Sequence, residues 1–114
     1  MNDWNGYRDQ LMARVDEFAA LSPGTISGLQ AMDAAGSRTG HLDAKTRELI
    51  ALAVAVTTRC DGCITVHTKA AAIQGATREE IAEALGVAVS LNAGAAVVYS
   101  ARVLDTFAAL SENA

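Results

Sequence analysis

The residues best suited to chemistry lie together in one short stretch of the chain. This stretch reads Arg59-Cys60-Asp61-Gly62-Cys63-Ile64-Thr65-Val66-His67, and it contains both cysteines and one of the two histidines. Thiols and an imidazole are the groups that redox reactions and zinc binding require. If the protein is an enzyme, we expect its reaction to take place here.

The spacing within this stretch favours a reactive thiol at Cys63. His67 follows four residues later, so in a helix the two side chains share one face and the imidazole can take the thiol proton. Cys63 would also stand in the first turn of that helix, where free amides and the helix dipole stabilise a thiolate. Cys60 is close enough to form a disulfide with an oxidised Cys63, and Gly62 is expected to give the turn the backbone freedom for this ring.

Other roles for the same side chains stay open. Cys60, Cys63 and His67 could be three zinc ligands, with water, His41 or Glu48 as the fourth, and the cysteines could also be an inert packed pair. However, the chain has no second cysteine pair, and its other histidine falls in a predicted loop. We therefore expect redox-active thiols, with no metal and no other cofactor.

The composition is typical of a cytoplasmic single-domain protein. One domain, 1–114, accounts for the length, and a net charge of −4 without a basic cluster argues against nucleic acid as a partner. The longest uninterrupted apolar run, Leu49 to Val56, is far shorter than the ~20 residues that span a bilayer. The first residues lack the layout of a signal peptide. We expect no membrane contact and a compartment that keeps thiols reduced, where a close cysteine pair points to catalysis or metal binding.

Apolar residues at helical spacing predict an all-α fold with about six helices. They run from Tyr7 to about Ala20, from Pro23 to Gly36, from Ala44 to about Thr58, from the cysteine turn to about Gln74, from Thr77 to a break at Asn92-Ala93-Gly94, and from there to about Leu110. Ser22, Asp43 and a capping box of Thr77 with Glu80 are the start signals of helices two, three and five.

The distribution of apolar residues predicts which helices are buried. The third helix is apolar on every side from Leu49 to Val56, which places it in the interior, and the second would carry Ile26, Leu29 and Met32 inward. The last two helices hold more apolar surface than one small domain can hide, and the excess falls on Val87, Val89, Val98 and Tyr99. We expect this surface to be buried against another subunit, the alternative being a six-helix monomer with a thick core.

Two segments together carry a family resemblance. They are Leu42-Asp43-Ala44-Lys45-Thr46-Arg47-Glu48-Leu49-Ile50-Ala51-Leu52-Ala53-Val54 and Cys60-Asp61-Gly62-Cys63-Ile64-Thr65-Val66-His67. A Glu twelve residues before a Cys-x-x-Cys-x-x-x-His motif resembles the carboxymuconolactone decarboxylase superfamily, and within it the alkylhydroperoxidase D-like proteins. The likeness covers about residues 40 to 110. It implies an all-helical alkylhydroperoxidase D-like domain that assembles as a homo-oligomer, either a trimer or a hexamer.

The resemblance also implies a thiol-dependent peroxidase or disulfide reductase. Cys63 would attack a hydroperoxide, and Cys60 would be the resolving thiol. His67 would accept the proton, with Glu48 acting behind it through water. An external dithiol reductant, lipoyl or thioredoxin-like, would restore the thiols.

Helix geometry sets a condition on Glu48. At ~1.5 Å per residue it stands about 18 Å along its helix from Cys60, so it reaches the site only if helix four folds back alongside. It should then approach His67, the alternative being an exposed carboxylate beside Lys45 or Arg47.

The motif departs from the best-known peroxidases of the family at one point. They carry a second histidine inside the Cys-x-x-Cys, where this chain has Asp61 and Gly62. Two other functions stay open. One is a carboxymuconolactone decarboxylase-like lyase that uses His67 and Glu48, and the other is a non-catalytic redox-sensing or zinc-binding module.

Overall fold

Five α-helices make up the computed structural model, which describes residues 1–112. Their bounds are α1 (Trp4–Leu21), α2 (Pro23–Thr39), α3 (Ala44–Thr58), α4 (Asp61–Ile73) and α5 (Arg78–Glu112). The prediction of an all-α fold is confirmed. The predicted number of six helices is wrong, because the last two form one continuous helix of 35 residues.

The predicted break at Asn92-Ala93-Gly94 lies inside α5. The Asn92 side chain donates one hydrogen bond to the Ala88 carbonyl one turn earlier (2.7 Å) and another to Thr57 Oγ1 of α3 (3.0 Å). The amide group that suggested a turn is therefore satisfied without leaving the helix. Packing against α3 overrides the weak helix propensity of Asn and Gly at this point.

The first two helices are both longer than predicted. α1 begins at Trp4 instead of Tyr7, because the Asp3 carboxylate accepts the Gly6 amide as its cap. α2 passes through Gly36 and ends at Thr39, where Gly40 adopts a left-handed conformation with φ of 68°. Ser22 does not cap α2 with its side chain, since its hydroxyl pairs with that of Thr25 (2.8 Å).

The predicted caps of α3 and α5 are confirmed. The Asp43 carboxylate accepts the Thr46 amide at 2.8 Å, and this bond lowers the pKa of Asp43 below its ordinary value. At the start of α5, Thr77 and Glu80 exchange side-chain and backbone hydrogen bonds of 2.9 and 3.0 Å, which is a capping box. The chain turns between α3 and α4 at Arg59, which has a positive φ of 55°.

Two helices, α1 and α5, pack against the α3–α4 pair and so determine where the motif lies. α4 folds back antiparallel along α3, while α5 runs parallel to α3. Two contacts fix this parallel register, the ion pair of Lys45 with Glu80 (2.7 Å) and the Asn92–Thr57 hydrogen bond. α1 crosses α4, where the buried Thr65 hydroxyl donates to the Trp4 carbonyl at 3.3 Å.

The buried core of the single chain is small. Its apolar members are Leu52, Ala55, Ala71 and Ala88. The prediction that α3 is interior on every side is wrong, since Ile50 and Val54 are 49% and 54% exposed. Among the described residues, only those of α4 and α5 pack along α3, so one side of it stays open. The inward positions predicted for α2 are also wrong at Leu29 and Met32. Both are exposed because, among the described helices, α1 alone packs along the length of α2, and α3 meets only its end.

Beyond Asn92, α5 extends away from the other helices. Every described side chain from 93 to 111 is exposed. The radius of gyration is 19.2 Å, whereas a compact domain of this length would have ~13 Å. α5 is also long and apolar enough to cross a membrane, by length and composition only. The chain therefore presents a long apolar helix face that its own described residues do not cover.

Candidate active site

The cysteine pair stands at the first turn of α4. Cys60 is the residue that caps this helix, and its Sγ accepts the backbone N–H of Cys63 at 3.1 Å. The Cα atoms of the two cysteines are 5.2 Å apart, and their sulfur atoms are joined as a disulfide. Both residues are half-buried. The sulfur atoms thus lie at the positive end of a helix, where negative charge on sulfur is stabilised.

Gly62 has a different role from the one predicted. It does not have a positive φ, so the turn does not need the conformational freedom of glycine. Instead, a Cβ at this position would stand 2.7 Å from the Leu11 Cδ2 atom of α1. Glycine allows α1 to pack directly over the cysteine turn.

Glu48 and His67 form a direct contact between α3 and α4. Glu48 Oε2 is 2.7 Å from His67 Nδ1, with 24% and 32% of the two side chains exposed. Glu48 was expected to reach His67 only if α4 folds back along α3, and α4 does fold back in this way. The two side chains touch without the intervening water that the family resemblance implied.

The neighbouring cations are engaged elsewhere and do not pair with Glu48. Lys45 pairs with Glu80 of α5. The Arg47 guanidinium donates to the Leu42 carbonyl at 2.5 Å and to the Ser37 hydroxyl at 3.3 Å, which ties the end of α2 to the start of α3. The alternative of an exposed Glu48 beside Lys45 or Arg47 therefore does not describe this structure.

The geometry of this pair determines which imidazole nitrogen can act as a base. A carboxylate at Nδ1 favours the tautomer that has its proton on Nδ1, which leaves Nε2 unprotonated. Cys63 lies one helical turn before His67 on the same face of α4. The arrangement can therefore take a proton from a thiol and hold the positive charge against Glu48.

One supporting interaction was not foreseen from the sequence. Thr77-x-x-Glu80 was interpreted only as a cap, but Glu80 Oε2 also binds Lys45 Nζ, one turn before Glu48. The hydrogen bond from Lys45 lowers the pKa of Glu80, and the hydrogen bond to Glu80 raises the pKa of Lys45. No local signal identifies this pair, since its members are 35 residues apart in the chain.

The structure brings Cys60, Cys63, His67 and Glu48 into one region, and their catalytic roles stay predictions. His41 lies in the exposed loop between α2 and α3. Among the described residues, no three His, Cys, Asp or Glu side chains converge as metal ligands would. Within that part of the chain, the cysteine pair with its His–Glu contact is therefore the arrangement that offers chemistry.

Several known proteins are similar to this chain. An uncharacterized protein of Haemophilus influenzae is 45% identical over 105 residues, which is 92% of this chain and 93% of the relative. An uncharacterized protein of Cupriavidus necator is 37% identical over 98 residues, covering 83% and 87% of the two chains. Both relatives are thus matched over most of their length, and their names state no activity.

A solved structure extends the likeness to the fold. The apo crystal structure of a carboxymuconolactone decarboxylase family protein from Legionella pneumophila superposes with a TM-score of 0.75 and 33% identity, over 92% of this chain and 94% of that chain. The model of the carboxymuconolactone decarboxylase family matches residues 23–106. This segment contains both halves of the candidate site. The chain therefore belongs to the carboxymuconolactone decarboxylase family, which includes decarboxylases and alkylhydroperoxidases.

Proposed function

We propose that the protein is a thiol-dependent peroxidase that reduces hydroperoxides through Cys63 and Cys60. The observation that carries this proposal is the 2.7 Å contact of Glu48 with His67, on the helix that presents both sulfur atoms. A thiol pair alone could be a passive disulfide. A carboxylate-oriented imidazole one turn from a thiol is what activation of that thiol requires.

The first step oxidises Cys63. Its thiol proton passes to His67 Nε2, and the thiolate attacks the terminal oxygen of the hydroperoxide. The S–O bond forms as the O–O bond breaks, and the leaving alkoxide takes the proton from the imidazolium to become the alcohol. Cys63 is then a sulfenic acid, and Glu48 has balanced the transient charge on His67.

The second step resolves the sulfenic acid. Cys60 sulfur attacks Cys63 sulfur, the S–S bond forms, and the oxygen leaves as water with the proton of Cys60. An external dithiol, of the lipoyl or thioredoxin type, then supplies two electrons and two protons by disulfide exchange. One hydroperoxide and one dithiol thus yield an alcohol, water and an oxidised dithiol.

Asp61 and Gly62 limit which side chains can transfer protons in the proposed reaction. Because no second histidine stands between the cysteines, proton transfer to and from the substrate depends on His67 and Glu48 alone. Asp61 is exposed on the first turn of α4. We therefore assign both the acceptance and the return of the proton to the same imidazole.

Cysteine variants test the proposal. With a dithiol supplied, Cys63→Ser should consume peroxide no faster than buffer, and Cys60→Ser should complete one turnover and then stall at the sulfenic acid. Peroxide consumption by Cys63→Ser at the wild-type rate would contradict the proposal. The variant with both cysteines replaced by serine distinguishes the peroxidase from the lyase alternative. A lyase that uses His67 and Glu48 should keep its activity on a lactone substrate in this variant.

We also propose that the exposed half of α5 binds further copies of the chain, giving a cytoplasmic trimer or hexamer. Its apolar residues are each about two-thirds or more exposed, namely Val97, Val98, Tyr99, Val103, Leu104, Phe107 and Leu110. A patch of this extent is typical of an interface. A bilayer is a poorer partner, because Arg102 and Asp105 lie mid-way along this segment, where a charge costs ~2.5–3.5 kcal/mol.

A further inference from the structure

A cleft between α1 and α4 offers a second binding site. Its volume is about 460 Å³, within the ~300–1,000 Å³ range of small-molecule sites. Trp4 and Ile64 supply apolar walls, both half-buried. The Trp4 indole also makes an edge-to-face contact with Tyr7 at 6.0 Å, so one wall of the cleft is apolar and aromatic.

The polar residues of the cleft carry positive charge. Arg8 and Lys69 line it from opposite helices, and none of the lining residues is a carboxylate. Arg8 Nη2 donates to Asn5 Oδ1 at 3.1 Å, which leaves its other N–H groups available. Lys69 forms no ion pair with any side chain that the structure describes, which are those of residues 1–111. The cleft is therefore positively charged, although the net charge of the chain is −4.

The cleft is separate from the cysteine pair. Neither cysteine lines it, nor do Glu48 and His67. At ~100° per residue around a helix, Thr68 and Lys69 point about 100° and 200° away from His67. The reactive thiol and the cleft therefore occupy different faces of α4.

We propose that this cleft binds an organic anion that has an apolar body. The apolar part would lie against Trp4 and Ile64, and the anionic head would lie between Arg8 and Lys69, with Thr68 and Asn5 available for hydrogen bonds. A carboxylate and a phosphate monoester meet these requirements equally, because both accept hydrogen bonds from Arg and Lys. This inference does not depend on the peroxidase proposal, since it involves neither thiol.

The single tryptophan provides a direct measurement. Trp4 is the only tryptophan in the chain, so tryptophan fluorescence reports on the surroundings of this wall of the cleft. The protein is titrated with octanoate and, separately, with octyl phosphate. Each titration should give a saturable change in Trp4 fluorescence, and the anion with the lower dissociation constant identifies the preferred head group. Octan-1-ol should bind at least ~5-fold more weakly, because the charge contribution is lost.

Matched variants locate the head group. Arg8→Gln and Lys69→Gln should each raise the dissociation constant of the preferred probe by about 5-fold. Arg14→Gln on the same helix is the control, because Arg14 pairs with Glu17 at 2.6 Å and does not line the cleft; it should leave the constant unchanged. Absence of saturation with both anions, equal affinity for octan-1-ol, or equal weakening by Arg14→Gln would each overturn the proposal.

Discussion

Glu48 Oε2 lies 2.7 Å from His67 Nδ1, across the antiparallel pair of α3 and α4 and 19 residues apart in the chain. This contact favours the His67 tautomer that has its proton on Nδ1, which leaves Nε2 as the base on a side chain one helical turn from Cys63. It combines a carboxylate, a base and a thiol in the order that thiol activation needs. The proposed chemistry depends on this relationship more than on any other in the fold.

Loss of this contact should slow the reaction with peroxide. His67→Gln removes the base, and we expect the second-order rate constant to fall by ~10²–10⁴-fold. Glu48→Gln should approach the same loss, because the amide can donate to Nδ1 and so place the imidazole proton on Nε2. Stopped-flow measurement of Cys63 oxidation across pH gives both the rate and the pH profile.

Two controls separate this effect from general destabilisation. Glu83→Gln changes an exposed carboxylate of α5 and should leave rate and pH profile unchanged. Glu48→Asp retains the charge and should recover part of the rate that Glu48→Gln loses. If Glu48→Gln reacted at the wild-type rate with an unchanged pH profile, Glu48 would have no part in the proton transfer.

The Lys45–Glu80 pair should make stability depend on pH at both extremes. The pKa of Glu80 is lowered below 4.5, so its contribution is present above that pH and is lost as pH falls through the folded-state value. The pKa of Lys45 is raised above 10.5, so its contribution is present below that pH and is lost as pH rises through the folded-state value. We expect Lys45→Gln to lower Tm modestly between these limits, because both side chains are 35% exposed.

Thermal unfolding at pH 3, 7 and 11 checks this prediction. The difference in Tm between wild type and Lys45→Gln should be largest at pH 7 and should shrink at both extremes. Raising the salt concentration at pH 7 should reduce it as well. A difference that stayed constant across pH would show that Lys45 contributes through packing alone.

The exposed half of α5 should determine the assembly. We expect wild-type protein to have three or six times the chain mass of 11.8 kDa, as measured by light scattering after size exclusion. Leu104→Glu places a charge on the apolar face and should yield smaller species. Asp105→Lys changes a position that already carries a charge, on the side of α5 opposite Val103 and Phe107, and should retain the wild-type mass.

The opposite results would contradict the assembly proposal. A monomeric wild-type protein would mean that the apolar face of α5 is not covered by other copies. The same conclusion would follow if Leu104→Glu kept the wild-type mass.

Features with local causes could be predicted from the sequence. Asp43 caps α3 through an amide three residues away, and the reciprocal bonds of Thr77 and Glu80 span the same short distance. The positions of the cysteines at the start of α4 follow from the same kind of short-range signal. Helix propensity and capping are sufficient at these places.

Features with distant causes could not be predicted. Asn92 was expected to break α5, but its partner Thr57 is 35 residues away. α3 was expected to be interior because Leu49 to Val56 is apolar, yet the side that carries Ile50 and Val54 is open. Glu48 could be placed only conditionally, because its approach to His67 depends on the way α4 packs on α3.

The most direct measurement of the central claim is a thiol count on the reduced protein before and after one equivalent of hydroperoxide. We predict that both thiols of each chain are lost as Cys60 and Cys63 form their disulfide, and that a dithiol restores both. An unchanged thiol count, or a loss that a dithiol does not reverse, would contradict the account.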